Sequence, residues 1–395
     1  MLTPRTTLVR RVLTALDASP SRIPVLLGGC GSGRSTVLLQ LRDRMGRMAA
    51  QYVNVERTAT TPERFLRAVA GASPFPSIDA GTMGARAAFD AVLAFVTSAR
   101  TGSGEPAVFL LDEFLELRTF ESFPGLRRVL HELMDGLASG GNRFVLSSRY
   151  TARALRLLRD RSARFEVIHM PAFSVEDAQD VLGPSLMAGA TADAVDQEFV
   201  ARTIHALTDG RPSYVRALTD ELAATREHGG PGGSDAISAL VALMAPSGRI
   251  ANQCNFSYEL RLHRARGYGA LKAILDILAE DEGLTLTEIS QRLERTPGST
   301  KDYLSWLEDV DLVVARQKRY SYVDPLLRVW VRLHCRVSPP TEDDVAREIH
   351  RFALPRLPQT AAPEAAAPAP ALAMVTAGAG LIEDDKKPWG IIEID

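Results

Sequence analysis

The chain has 395 residues, with 46 Lys and Arg against 48 Asp and Glu, for a formal net charge of −2. This length allows two or three domains with cores of their own, and so balanced a charge leaves any nucleic-acid or membrane binding to a local patch. The contents of 46% hydrophobic and 24% charged residues suit a globular protein, and Cys30, Cys254 and Cys335 are too scattered for a disulfide framework or a zinc site. A reducing, cytoplasmic setting is therefore expected, without a signal segment or membrane span.

In chain order, Thr6 to Ala18 carries Leu8, Val12, Leu13 and Leu16 at helical spacing. The short apolar run Ile23 to Leu27 then ends in Gly28-Gly29-Cys30-Gly31-Ser32-Gly33-Arg34-Ser35-Thr36, and a periodic apolar segment follows at once. This predicts strand, loop and helix with the spacing of a phosphate-binding loop. Glycines let the backbone turn sharply and aim its N–H groups at phosphate oxygens, and the helix adds its positive end. Ser35 is placed to offer a hydroxyl to Mg²⁺, and Thr36 lies toward the α-phosphate. The position that usually holds Lys is Arg34, which keeps the charge but replaces a point cation with a planar fork.

Further strands are predicted at Gln51 to Glu56, at Ala107 to Asp112, at Arg143 to Ser148 and at Phe165 to Met170, with helices between them. Thr61-Pro62 reads as the N-cap and first turn of one of those helices. The run Ala107-Val108-Phe109-Leu110-Leu111 suits a strand buried on both faces of a parallel sheet. It ends in Asp112 and Glu113, the first placed to hold a Mg²⁺ shell and the second to polarise a water. Ser148 and Arg149 close another strand at the same edge, where an arginine can pair with a γ-phosphate.

Beyond Phe173 the texture is helical, and the turn Gly210-Arg211-Pro212 sits between two of the helices. This stretch reads as a lid from which Arg211 could reach a bound phosphate. Residues 227–234 are a Gly-rich linker. Helices are expected at 236–245 and 256–266, then three compact helices (269–279, 285–293 and 299–310), a hairpin with the basic turn Arg316-Gln317-Lys318-Arg319, and a closing helix from Asp324 to Val337. Helix, helix, helix, hairpin is the pattern of a winged helix-turn-helix. Ser299, Lys301, Lys318 and Arg319 are its candidate contacts to duplex DNA, while Asp302, Glu308, Asp309 and Asp311 leave open a winged helix used for protein contact or for holding the core closed. The Ala- and Pro-rich segment 356–380 is expected to be disordered. Residues 381–395, with Trp389, Ile391, Ile392 and Ile394, read as a peptide ligand for a protein partner.

Taken together, Gly28–Thr36, Leu110-Leu111-Asp112-Glu113, Leu146-Ser147-Ser148-Arg149, Gly210-Arg211-Pro212 and Tyr322-Val323-Asp324-Pro325 through Trp330 resemble the AAA+-related P-loop ATPases of the STAND type, particularly their archaeal-ATPase branch. The resemblance implies an α/β P-loop NTPase core (1–172) with a parallel sheet, a helical lid (173–228) and a winged-helix domain (235–337). It further implies ATP and Mg²⁺ as ligands, with Gly33, Arg34, Ser35 and Thr36 on the phosphates and Mg²⁺. Asp112 would be the Mg²⁺-linked acid, Glu113 the catalytic base, Arg149 the γ-phosphate reader and Arg211 the link to the lid. The expected function is a nucleotide-dependent switch with slow hydrolysis. A DNA-binding regulator with a structural or non-hydrolysed nucleotide is a second reading, an assembly or scaffold protein whose main contact is the tail peptide is a third, and the sequence leaves open a homo-oligomer.

Overall fold

The apolar runs Ile23–Leu27 (β1), Ala50–Asn54 (β2), Val108–Asp112 (β3), Arg143–Ser148 (β4) and Phe165–His169 (β5) form one parallel sheet in the order β2-β3-β4-β1-β5. The computed structural model describes residues 5–76, 81, 83–186, 194–227, 235–263, 265 and 267–358. Of the expected linker 227–234, residues 228–234 lie outside the described residues, and Glu227 ends a helix instead. Of the Ala/Pro-rich segment 356–380, Arg356 closes the 3₁₀ turn Leu354–Arg356, while residues 359–380 and the peptide motif 381–395 lie outside the described residues.

Side chains alternate across the sheet, as a period of two requires. Leu26, Val108, Leu110, Val145 and Ile168 pack against the helices Thr6–Leu16 and Arg34–Met45. Ile23, Val25, Leu27, Phe109, Leu111, Phe144 and Leu146 face the other way, in one core with residues of the helices Pro62–Gly71, Ala85–Ser98 and Val129–Ser139. Phe109 anchors that side, edge-on to Phe75 and Phe95 at centroid distances of 5.4 and 5.8 Å. Burial on both faces explains why these strands read as unbroken apolar runs.

The register aligns the carboxyl ends. Leu27 pairs with Ser148, and Asn54 with Asp112. The phosphate-type loop, the Asp112-Glu113 pair and Ser148-Arg149 therefore share one sheet edge, where open α/β sheets bind their ligands.

After β5 the chain runs through the helices Val175–Leu186, Ala194–Thr208 and Pro212–Glu227 with no strand between them. The next two are Ala236–Met244, capped by Asp235, and Arg249–Leu262. The second begins well before the expected 256. Its buried residues Ile250, Ala251, Cys254, Ser257, Tyr258 and Arg261 follow helical spacing, but the polar and charged members among them hide the period.

The winged helix is formed as expected, with the helices Tyr268–Glu280, Leu286–Arg292 and Pro297–Asp309 followed by a hairpin. The short strand Leu284–Thr285 (β6) pairs with Arg319–Tyr322 (β8), which also pairs with Val313–Arg316 (β7). Gln317 and Lys318 both have positive φ, 50° and 65°, as the favoured two-residue hairpin turn demands. Two elements were not foreseen. A 3₁₀ helix, Phe114–Ser122, follows Glu113 and buries Phe114, Leu117 and Phe120. The helix Glu342–Ala353, opened by a capping box of Thr341 and Asp344, packs on the closing helix Pro325–His334 through the Arg332–Glu348 ion pair at 2.9 Å.

Asp324 is the joint of the C-terminal half. One oxygen caps Pro325–His334 through the N–H groups of Leu326 and Leu327, and the other accepts the Tyr214 hydroxyl at 2.8 Å and stands 3.4 Å from Arg211. Asp324→Ala is expected to lower the unfolding free energy by about 2–4 kcal/mol, the combined loss of a cap and a buried acceptor. Asp324→Asn, which keeps the cap, should lose less. Urea or thermal unfolding of the two variants checks the order.

Candidate functional site

The loop between β1 and Arg34–Met45 takes its shape from Gly31 and Gly33, with φ of 77° and 88°. A Cβ on Gly31 would also overlap Ser213 of the next layer, so this position requires glycine twice over. The helix N-terminus from Gly33 to Thr36 opens into a cavity of about 330 Å³. Arg5, Phe173, Ser213, Arg216, Arg249 and Gln253 complete its wall. Backbone N–H groups at a helix start, beside several guanidinium groups, make an anion site.

The second half of the site lies across the sheet edge. Ser35 donates its hydroxyl to Asp112 Oδ2 at 2.6 Å, and the Tyr52 hydroxyl donates to the same oxygen at 2.7 Å. Ser147 donates to Asp112 Oδ1. Burial, and then the Asp112 carboxylate, push the Tyr52 phenol above its ordinary range, so it stays a donor. Hydroxyl and carboxylate oxygens are the ligand type of a hard divalent cation. Among the described residues no group of three His, Cys, Asp or Glu side chains could hold a metal alone. A cation at Ser35 and Asp112 would thus take its remaining ligands from phosphate oxygens and water, which is the way Mg²⁺ is usually bound.

Glu113 is held by two guanidinium groups. Arg34 Nη2 donates to Glu113 Oε1 at 2.6 Å, while its Nη1 donates to the Gly29 carbonyl at 2.6 Å and to Ser32 Oγ at 3.0 Å. Arg149 approaches from the other side. Its backbone N–H donates to Glu113 Oε2 at 3.0 Å, and its Nε stands 3.2 Å from Oε1 as an ion pair without hydrogen-bond geometry. The Arg34 and Glu113 side chains are only 7% and 6% exposed. Glu113 itself has a left-handed backbone, φ 57° and ψ 47°, and its N–H is bonded to Ser147 Oγ. Arg149 also pairs with Glu56 of the short helix Val55–Thr58. Burial alone would lower the Arg149 pKa, but Glu113 and Glu56 outweigh it and hold the group charged.

The lid meets the loop directly. Arg211 Nη1 donates to the Cys30 carbonyl at 2.8 Å, and the Ser213 N–H to the Gly31 carbonyl at 3.2 Å. Through Asp324, Arg211 then reaches the head of the closing helix. A second contact comes from Asp311, just before the wing, whose carboxylate accepts the N–H groups of Thr151 and Ala152. It caps the helix Thr151–Leu158 immediately beyond Arg149.

The structure thus brings the loop Gly28–Thr36, Asp112, Glu113, Arg149 and Arg211 to one place. Arg34 is turned away from its expected open position and onto Glu113, because a forked head can bond the loop and the carboxylate at once. The candidate DNA contacts lie apart from this site. Lys301, Lys318 and Arg319 are exposed and Ser299 is partly buried, while the end of the helix that carries Ser299 and Lys301 is tied down by the Arg156–Asp309 pair. Tyr52, Glu56 and Arg261 carry no signal in the sequence, and Asp311 stands there only among the acids after the third winged-helix helix. Tyr52 lies inside an ordinary alternating strand, Glu56 just beyond it in a short helix, and Arg261 in no motif.

The residues 270–314 match a family model described as winged helix-turn-helix DNA-binding. A Walker-type ATPase of Pyrococcus abyssi superposes with a TM-score of 0.60 at 15% identity, over 84% of this chain and 96% of that one. The chain has the fold of a P-loop ATPase with a winged helix. Two more distant similarities are the Orc1 protein of Aeropyrum pernix in complex with DNA (TM-score 0.46, 16% identity, 89% and 93% covered) and a STAND protein with a tetratricopeptide repeat sensor from Pyrococcus horikoshii (TM-score 0.36, 14%, 88% and 44%). No curated protein matches the sequence. Among the described residues, no helix of this P-loop fold is long and apolar enough to cross a membrane.

Burial pushes the Asp311 carboxyl up to about 6. Between its unfolded value of about 4 and this figure the folded chain binds the extra proton, so this group's contribution to stability falls as pH rises through the window. Relative to Asp311→Asn, the wild type is expected to lose about 1–3 kcal/mol between pH 4 and pH 6.5. Urea titrations of both proteins at several pH values measure it.

Proposed function

We propose that the chain is an ATP-binding switch that hydrolyses ATP slowly with Mg²⁺ and passes the state of its nucleotide to the winged helix. The observation that carries this reading is the bridge made by Arg211, from the loop carbonyl of Cys30 to Asp324 at the head of the closing helix. A side chain so placed ties the position of the C-terminal half to whatever the loop holds. Nucleotide can shift that position only by binding one arrangement better than the other.

In this reading the loop N–H groups and Thr36 bind phosphate oxygens, and Ser35 and Asp112 orient the cation. Mg²⁺ held there would neutralise charge on the β- and γ-phosphates. Glu113 takes the proton of the attacking water, while Arg34 and Arg149 stabilise charge on the departing phosphoryl group. The Arg34–Glu113 pair opposes this chemistry. A carboxylate that accepts from a guanidinium at 2.6 Å is a weak base, and the same guanidinium is not free for phosphate. Slow turnover follows.

Purified protein is expected to bind ATP with Mg²⁺ and to turn it over slowly. Glu113→Gln should cut turnover by about a hundredfold or more. It should also tighten ATP binding by about tenfold, because Arg34 no longer has a carboxylate to hold it. Arg34→Lys should speed turnover by releasing Glu113. Absence of ATP binding in all three proteins would remove this reading.

A second reading, a DNA-binding regulator, is favoured by the exposed basic wing Arg316, Lys318 and Arg319 beside exposed Lys301. It predicts duplex binding that weakens steeply with salt and falls further in Lys318→Glu. Absence of duplex binding by the wild type would argue for protein contact instead.

A further inference from the structure

Four guanidinium groups converge on Gly29 and Cys30, and three of them are matched with carboxylates: Arg34 and Arg149 with Glu113, and Arg211 with Asp324. The fourth is Arg261, on the helix Arg249–Leu262 that leads into the winged helix. It is 4% exposed. Its Nη1 donates to the Asp311 backbone carbonyl at 2.9 Å, and its Nε is buried with no partner. Its Nη2 points at the loop, 3.6 Å from where a Cβ on Gly29 would stand. Among the described residues Arg261 forms no ion pair, and both oxygens of the Asp311 carboxylate are taken by Thr151 and Ala152. A buried cation with its hydrogen bonds so incompletely met is costly, even with the charge of the Asp311 carboxylate near enough to act on it.

We propose that Arg261 binds the terminal phosphate of a nucleoside triphosphate over Gly29, an inference that rests on the nucleotide reading of the loop. The direction follows from the layout of the site. Ser35 and Thr36 open onto the cavity at the helix N-terminus, the end that cradles the inner phosphates. Gly29 lies at the other end, against Arg34 and beside Glu113, where the outermost phosphate would stand. The Cys30 thiol reports the same field. Burial pushes it up, but Arg261, Arg149 and Arg34 together bring it below its ordinary value.

Binding by Arg261 would give the winged helix a second link to nucleotide. The carbonyl that Arg261 now holds belongs to Asp311, the residue that also caps the helix following Arg149. An Arg261 drawn toward a phosphate pulls on the turn between the third winged-helix helix and the wing. Unlike the Arg211 bridge, this link depends on the outermost phosphate, so it separates triphosphate from diphosphate.

The test is equilibrium binding of fluorescent ATP and ADP analogues, with Mg²⁺, to the full chain as wild type, Arg261→Gln and Arg261→Lys. Arg261→Gln is expected to weaken ATP binding by about tenfold or more and ADP by less than about threefold. Arg261→Lys, which keeps a cation and is the safer variant for folding, should fall between for ATP and leave ADP unchanged. Equal losses for both nucleotides, or no loss for either, would show Arg261 to be a structural tie to Asp311 and overturn the inference. A wild type that binds neither nucleotide would instead overturn the nucleotide reading itself, and this inference with it.

Discussion

A buried ion pair between Arg34 and Glu113 governs the centre of this molecule. Both groups have left water, and removing one partner of such a pair typically costs about 3–5 kcal/mol. The pair holds the Glu113 carboxylate against the loop between β1 and the helix Arg34–Met45. Lysine could not close the site in this way. Its single ammonium has no second arm, whereas Arg34 bonds the Gly29 carbonyl and Ser32 with one nitrogen and Glu113 with the other. The arginine in the loop and the position of the Glu113 carboxylate are thus one feature. Arg149 reinforces it by pairing with Glu113 and Glu56 together.

Around that pair the loop is held from above. Its carbonyls at Cys30 and Gly31 are taken by Arg211 and Ser213, and Arg211 passes the contact on to Asp324. The winged helix touches the core again through Asp311 and through the Arg156–Asp309 pair, both on the helix that begins just after Arg149.

Much of this was legible in the sequence. The five buried strands announced themselves as apolar runs, and the loop spacing, the carboxylates after Leu111 and the Ser148-Arg149 end all fell at one edge because parallel strands align their carboxyl ends. The winged helix was legible from its helix spacing and its basic turn. What the sequence did not show were contacts set by three-dimensional closure. Arg261 is one arginine among several in Arg261-Leu262-His263-Arg264-Ala265-Arg266, and only its burial beside Gly29 distinguishes it. The direction taken by Arg34 depends on Glu113, 79 residues away, and no local pattern encodes it. The helix Glu342–Ala353 escaped because only Val345, Ile349 and Ala353 are buried in an otherwise charged stretch.

If the loop carries nucleotide as proposed, Arg34 must release Glu113 to reach a phosphate oxygen. The measurement that decides this is a crystal structure of the full chain with a non-hydrolysable ATP analogue and Mg²⁺. The Arg34 guanidinium is expected to leave Glu113 and move to a phosphate oxygen, opening the present 2.6 Å contact beyond ion-pair range. An analogue seated in the loop with Arg34 still bonded to Glu113 would contradict it.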